Sequence, residues 1–193
     1  MAVDQPTVSL GDGVENVDRL RVPVPGRDRK PGPYPYYGAA GVQDWVDDWL
    51  FEGMHLLVAE DGTVENARGG LVLQLPSGRF WVNNHAHVLK AGSEGDTRFL
   101  YYALHTIAAR PFITGAVQQK ISQANLNRIQ VPWPDAEFRR RITSILGALD
   151  DKIELNRRMN ETLEAMAQAI FKERFVEPFA TSEFTGREPV PVS

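Results

Sequence analysis

The sequence predicts an α+β fold: a globule of short strands with one or two helices over residues 1–134, then a long coiled-coil-forming α-helix over 135–177 and a disordered tail over 178–193. Two observations carry this. Up to residue 131 the chain changes character about every ten positions, with the β-type runs VSLGDGV, HLLVAEDG, GGLVLQL, RFWVNNHAHVLKA and NRIQVPWP separated by Gly, Pro, Asn and Asp. From Asp135 onward the pattern switches to apolar residues at steps of three and four, the signature of a helix with one continuous stripe.

Within the globule, residues 56–59 end in the turn signal Glu60-Asp61-Gly62, and Pro76-Ser77-Gly78 separates 71–75 from 79–82 as a hairpin. One helix is expected over 97–109, with Asp96 as N-cap, Phe99, Leu100, Ala103, Leu104 and Ile107 on one face, and Pro111 beyond its end. No internal repeat is visible.

The long helix is bounded at both ends. Asp135 caps it after Pro132 and Pro134, Glu137 suits the positive end of the dipole, and Lys172 and Arg174 suit the negative end before Pro178. Its stripe runs through Phe138, Ile142, Ile145 with Leu146, Leu149, Ile153, Leu163, Ala167 and Ile170. At 1.5 Å per residue it is roughly 60 Å long. Ordering each residue costs roughly 1–2 kcal/mol, and each buried stripe side chain returns roughly 1.5–3 kcal/mol, so the helix alone is marginal and wants a partner helix. Asn156 and Asn160 stand at the stripe's centre. Two readings are open: buried amides that fix pairing register, or a stripe that drifts to Leu155 and Met159.

Composition narrows the function. The 193 residues contain no cysteine, which excludes a disulfide framework and thiolate metal sites and suits a reducing compartment. No secretory leader and no long apolar run is seen, so no membrane partner and a cytoplasmic location are expected. The net charge of −4 argues against a generic nucleic-acid coat but allows a local basic face.

Two segments offer such a face. Arg19, Arg21, Arg27, Arg29 and Lys30 precede the Gly/Pro-constrained loop Gly32-Pro33-Tyr34-Pro35-Tyr36-Tyr37-Gly38, where cations beside aromatics can meet phosphates and base edges. The plain alternative is a solvated loop with its tyrosines packed inward and its charge partly cancelled by Asp18 and Asp28. In Trp81-Val82-Asn83-Asn84-His85-Ala86-His87, the two histidines alternate on one strand face. That is metal-compatible, but two histidines without a placed carboxylate are a weak ligand set, and Glu60 and Asp61 belong to a turn. No phosphate loop, metalloprotease or nucleophile-elbow motif is present, so no catalytic residue, metal or cofactor is expected. Asn and His at a strand end suit base hydrogen bonding, or are ordinary polar turn residues.

Five segments in order resemble the specificity (S) subunit of type I restriction-modification systems: residues 34–42, 56–62, 81–85, 119–132 and 141–171, the last similar to that family's helical spacer. The resemblance implies a non-catalytic subunit whose target recognition domain, here 1–134, reads one half of a split double-stranded DNA target. It further implies that the spacer helix positions methyltransferase (modification) subunits and, through them, a restriction subunit. Family members usually carry two recognition domains and two antiparallel helices, whereas this sequence has one of each. Self-association through antiparallel helices is therefore expected, as a homodimer reading a palindromic interrupted site with half-sites about one to two turns apart. The expected DNA-binding residues are Arg27, Arg29, Lys30, Tyr36, Tyr37, Asn83, Asn84 and His85, with Arg68, Lys120 and Gln123 as further candidates. The expected helix-pairing residues are Ile142, Ile145, Leu149, Ile153, Asn156, Asn160, Leu163, Ala167 and Ile170. Two alternatives differ in class: an assembly or anti-restriction module that binds modification subunits without reading DNA, and a metal hydrolase using His85, His87 and Glu60.

Overall fold

The structure is a computed structural model that describes residues 6–115 and 117–176; the expected tail over 178–193 lies outside them. The chain forms two compact units, Met1–Ser144 and Ile145–Ser193.

The first unit begins with β1 (Thr7–Ser9), the short helix α1 (Leu10–Gly13), β2 (Glu15–Asn16) and 3-10 turns at Asp18–Leu20 and Gly26–Asp28. There follow β3 (Pro31–Gly38), β4 (Gly41–Val46), β5 (Phe51–Glu52), β6 (Leu56–Ala59), β7 (Leu73–Gln74), β8 (Arg79–Val82) and β9 (Ala86–Lys90). Helices α2 (Glu94–Leu104) and α3 (Gln123–Asn127), β10 (Gln130–Pro132) and the long helix α4 (Ala136–Phe171) complete the order, with a π-helical turn at Lys172–Val176.

The strands make two four-stranded sheets, ordered β2-β9-β6-β7 and β4-β3-β8-β5, and the pair β1-β10. Strand β6 explains how the layers stack. Its sequence, Leu-Leu-Val-Ala, is apolar without alternation because both faces are covered. Leu56, Val58 and Ala59 face a core closed by Leu100 and Leu104 of α2 and Leu126 of α3, while Leu57 faces a second core with Phe51, Phe80 and Val82.

Three local expectations are corrected. Residues 31–38 form a strand and not a loop: β3 pairs with β4 as a hairpin and with β8 in parallel. Its prolines are accommodated where the β4 register shifts between Pro31 and Tyr34, since Pro33 cannot donate to a ladder. Residues 71–75 and 79–82 do not form a hairpin; β7 joins β6, whereas β8 joins β3 and β5. The intervening carbonyls of Pro76 and Gly78 accept from His55 N–H at 3.1 Å and Gly53 N–H at 2.9 Å, which carries the chain between sheets. Helix α2 starts earlier than expected because Ser93, not Asp96, is its N-cap: Ser93 Oγ accepts from Asp96 N–H at 3.1 Å and donates to Asp96 Oδ2 at 2.9 Å.

The start of α4 is as expected, with Asp135 Oδ1 accepting from Phe138 N–H at 2.8 Å. Arg139 anchors this first turn, bonding Asp96 Oδ1 at 2.8 Å and lying 4.5 Å over the Trp133 ring. In the second unit α4 continues with Ile145, Leu149, Ile153, Leu163 and Ile170 all more than half exposed. Leu155, Met159 and Met166 are exposed too, so the apolar band is broad. Glu154, Arg157, Arg158 and Glu161 form ion pairs along the helix surface. No described helix is long and apolar enough to cross a membrane.

Candidate nucleic-acid interface

Sheet topology brings several connections to one place. Ala59 at the end of β6 pairs with Ala86 at the start of β9, and Val58 pairs with Leu73 at the start of β7. The β6–β7 connection, residues 60–72, and the β8–β9 connection, residues 83–85, therefore leave the same end of the sheet. The segment before α3 joins them: Ile121 N–H donates to Glu60 O at 2.8 Å and Gly62 N–H to Gln119 O at 3.1 Å. The tip of the β3–β4 hairpin arrives as well, because Asn83 N–H donates to Tyr37 O at 3.0 Å.

Of the sequence-predicted residues, Arg68, Asn84, His85, Lys120 and Gln123 belong to this end, and all but the half-buried His85 are exposed. Gln123 is the first residue of α3, whose N-cap Ser122 accepts from Asn125 N–H. Asn83 is different: it is buried, donates to Gln43 Oε1 at 3.1 Å and accepts from His85 N–H at 2.8 Å. Its amide sets the geometry of its neighbours.

The basic segment lies elsewhere. Lys30 O accepts from Asp47 N–H at 3.0 Å at the far end of the β3–β4 hairpin, so the chain at Lys30 lies the length of β3 from Asn84 and His85, while the Arg29 side chain folds back along the strand. Arg27 and Lys30 are exposed. Arg29 is held, with its guanidinium 4.1 Å from the Tyr36 ring centroid, 3.3 Å from Asp44 Oδ2 and its Nε 2.9 Å from Val24 O. Tyr36 is 1% exposed and its hydroxyl accepts from Val24 N–H at 2.9 Å. Tyr37 packs edge-on against Phe80 at 5.8 Å, and burial raises its phenol above the ordinary value.

The two histidines do not share a strand face, which corrects the expected alternation, because β9 begins only at Ala86. His85 side chain is 45% exposed and its Nδ1 lies 2.7 Å from Asp61 Oδ1, which directs Nε2 outward. His87 is 1% exposed, with Nδ1 2.5 Å from Asp18 Oδ2 and Nε2 2.8 Å from Ile121 O. Both ring nitrogens of His87 thus lie against oxygen atoms, Asp18 Oδ2 on one side and Ile121 O on the other, which fixes the ring between them.

Around His87 sits an ion network that no sequence spacing announces. Arg21 bonds Glu60 Oε2 at 2.7 Å and Ala86 O at 2.6 Å, and Lys120 Nζ lies 3.0 Å from Glu60 Oε1. Burial pushes the carboxyls of Asp18 and Glu60 up, but His87 and Arg21, with Val88 N–H at Asp18 and Lys120 at Glu60, outweigh it and hold both below their ordinary values. Asp18, Glu60 and His87 do place ligand atoms within 4.8 Å of one another. Their negative charge is already matched by Arg21 and Lys120, which makes the cluster a staple between β6, β9 and the segment before α3 and a poor cation cage.

Comparison with known proteins agrees with this architecture. Residues 4–165 match the family pattern described as the type I restriction modification DNA specificity domain. A putative type I restriction enzyme specificity subunit, S.HindORF215P from Haemophilus influenzae, is 38% identical over 141 residues, 72% of this chain and 36% of that protein. The type I restriction enzyme MjaIX specificity subunit of Methanocaldococcus jannaschii is 30% identical over 94 residues, covering 46% of this chain and 22% of that one. Among solved structures, the S subunit of a type I restriction-modification system from M. genitalium superposes with TM-score 0.66 at 16% identity, over 93% of this chain and 51% of that one. A chain from a study of type I restriction-modification complex assembly and conformational transition does so with TM-score 0.56 at 16% identity, over 88% and 45%. The chain thus spans about half the length of these structures and about a third or less of these curated relatives. The family pattern covers most of the sequence, the fold is shared, and the chain belongs to the type I restriction modification DNA specificity domain family.

Proposed function

We propose that residues 1–134 are a target recognition domain that reads one half of a bipartite DNA sequence, and that α4 is the spacer through which the chain meets its partners. The supporting observation is the convergence of exposed Arg68, Asn84 and Lys120 with half-buried His85 at one end of the central sheet. These are donor and acceptor types that suit base edges and phosphates. Arg27 and Lys30, at the other end of β3, suit backbone phosphates, with Arg29, Tyr36, Tyr37 and Asn83 shaping the surfaces that carry the contacts. In this reading the chain performs no catalysis and acts by positioning modification subunits, and a restriction subunit through them.

The exposed band on α4 supports a second part of the proposal: two copies pair these helices antiparallel, using Ile142, Ile145, Leu149, Ile153, Asn156, Asn160, Leu163, Ala167 and Ile170. Each stripe side chain so covered returns about 1.5–3 kcal/mol. Methylation mapping with the associated modification subunits tests the reading, and a palindromic interrupted motif is expected. Methylation without sequence preference refutes DNA reading. A concentration-independent monomer in sedimentation, with no partner bound, refutes self-pairing.

A further inference from the structure

We infer that Arg68 is a base-reading residue, specific for a guanine edge, and that Asn66 is the positioning residue that aims it. The inference rests on the proposed DNA-reading function and narrows it to one side chain.

Arg68 differs from the other cations of this end. Arg21 and Lys120 are ion-paired with Glu60, whereas the Arg68 guanidinium is exposed and makes no ion pair among the described residues. Its backbone, in contrast, is held. Asn66 Oδ1 accepts from Arg68 N–H at 2.9 Å and Gly70 N–H at 3.1 Å, while Asn66 Nδ2 donates to Leu71 O at 2.9 Å. Gly69 has φ +80°, which favours glycine, and its carbonyl accepts from Ala109 N–H at 2.9 Å. Gly69 N–H donates to Asn66 O at 2.9 Å, and Asn66 N–H to Gly70 O at 2.8 Å. The five-residue tip 66–70 is therefore braced from within and tied to the residues after α2.

Two features favour base reading over phosphate contact. The tip 66–70 carries one cation, and its exposed neighbour Arg110 lies 3.9 Å from the Glu65 carboxylate, whereas attraction to phosphate gains from gathered, unmatched charge. A braced loop fixes the point and direction from which its side chain leaves the backbone, which matters for a planar fork and little for a point-charge contact. A groove of about 600 Å³ between residues 66–70 and 105–108 leaves space beside the guanidinium. Arginine meeting O6 and N7 of guanine with two parallel bonds is the arrangement that such a placement serves.

The test uses the full chain assembled with its modification subunits and selection from randomised duplex DNA. Arg68→Ala and Arg68→Lys are each expected to lose preference at one G·C pair by on the order of 10- to 100-fold, with other positions unchanged. Arg68→Lys should keep the wild-type salt dependence because charge is retained. Asn66→Ala should relax the same position, and Asn66→Asp, which keeps the acceptor for both N–H groups, should restore part of it. Matching thermal unfolding of the variants checks that the fold is intact. Unchanged base preference in both Arg68 variants overturns the inference, as does uniform weakening on all sequences with a salt slope lower by about one. A wild type with no preference at all refutes the proposed function itself and the inference with it.

Discussion

Replacing Asp18 by Ala tests the ion network that staples the central sheet. Asp18 side chain is 10% exposed and accepts from Val88 N–H at 2.7 Å, His87 Nδ1 at 2.5 Å and Asn16 Nδ2 at 3.2 Å, with Arg21 Nη2 at 3.4 Å. Its removal strands two buried donors, the Val88 amide and the His87 ring, at about 1–3 kcal/mol each. It also leaves the largely buried Arg21 without one of its two carboxylate partners, and breaking a buried pair costs about 3–5 kcal/mol. These overlap, so Asp18→Ala should lose about 3–5 kcal/mol, a large part of the about 5–15 kcal/mol typical of a domain. At about 2–4 °C per kcal/mol, the midpoint falls by about 10 °C. The pH dependence adds a second signature. A carboxyl held low in the folded chain contributes stability that is present above its unfolded value of about 4 and is lost as pH falls through the folded value. Asp18→Asn lacks this increment, so the stability gap between wild type and variant should narrow as pH falls below about 4. Urea unfolding followed by circular dichroism at a series of pH values measures both. A loss under about 1 kcal/mol for Asp18→Ala, or a gap that persists in acid, would show that the network does not stabilise the fold as argued.

Other positions carry sharp expectations. A Cβ on Gly32 would meet the Val46 carbonyl and the Asp47 Cα, both backbone, so Gly32→Ala should cost about 1–3 kcal/mol or more, whereas Gly26, with nothing within 4 Å, should accept Ala with a gain of up to about 1 kcal/mol; thermal melts compare them. Phe80 is fully buried, stacked on Phe51 at 5.6 Å and met edge-on by His55 at 5.5 Å, so Phe80→Ala should lose about 3–5 kcal/mol in urea unfolding. Glu154 is held at about 2 by Arg157 and then Arg158, and an NMR titration that finds its carboxyl near the ordinary 4.5 would show those pairs are not kept in solution.

The long helix was the most legible element because a stripe at helical spacing and a proline-flanked Asp cap repeat one message over many residues, and Phe138 N–H does bond Asp135. The short elements failed where local chemistry has two outlets. Asp96 and Ser93 are both capping residues in sequence, and only the fold shows Ser93 Oγ taking the N–H while the Asp96 carboxylate accepts from the Ser93 hydroxyl. The prolines of residues 31–35 read as a loop, but a strand can carry them where its ladder slips. For the candidate site, residue type pointed to Arg68, Asn84, His85 and Lys120, yet nothing in sequence told them apart from Asn83 and Tyr36, which face inward. Counting charge treats Asp18 as a partial neutraliser of nearby arginines; its real partner, His87, is 69 positions away. The run Asn66-Ala-Arg-Gly-Gly was a readable turn signal, since asparagine commonly bonds the backbone two residues on.

Strands β3 and β8 run side by side in the same direction, Tyr36 beside Trp81 and Tyr37 beside Val82, while every other ladder among the described strands is antiparallel. A hairpin would have delivered the chain after β8 to the opposite rim. The shared direction instead makes two peptide stretches, far apart in the gene's reading order, surface side by side, so a substitution at residue 40 and one at residue 84 act on a common neighbourhood. Under the proposed function, changing what this rim reads calls for varying short stretches jointly, while the strands beneath stay as they are.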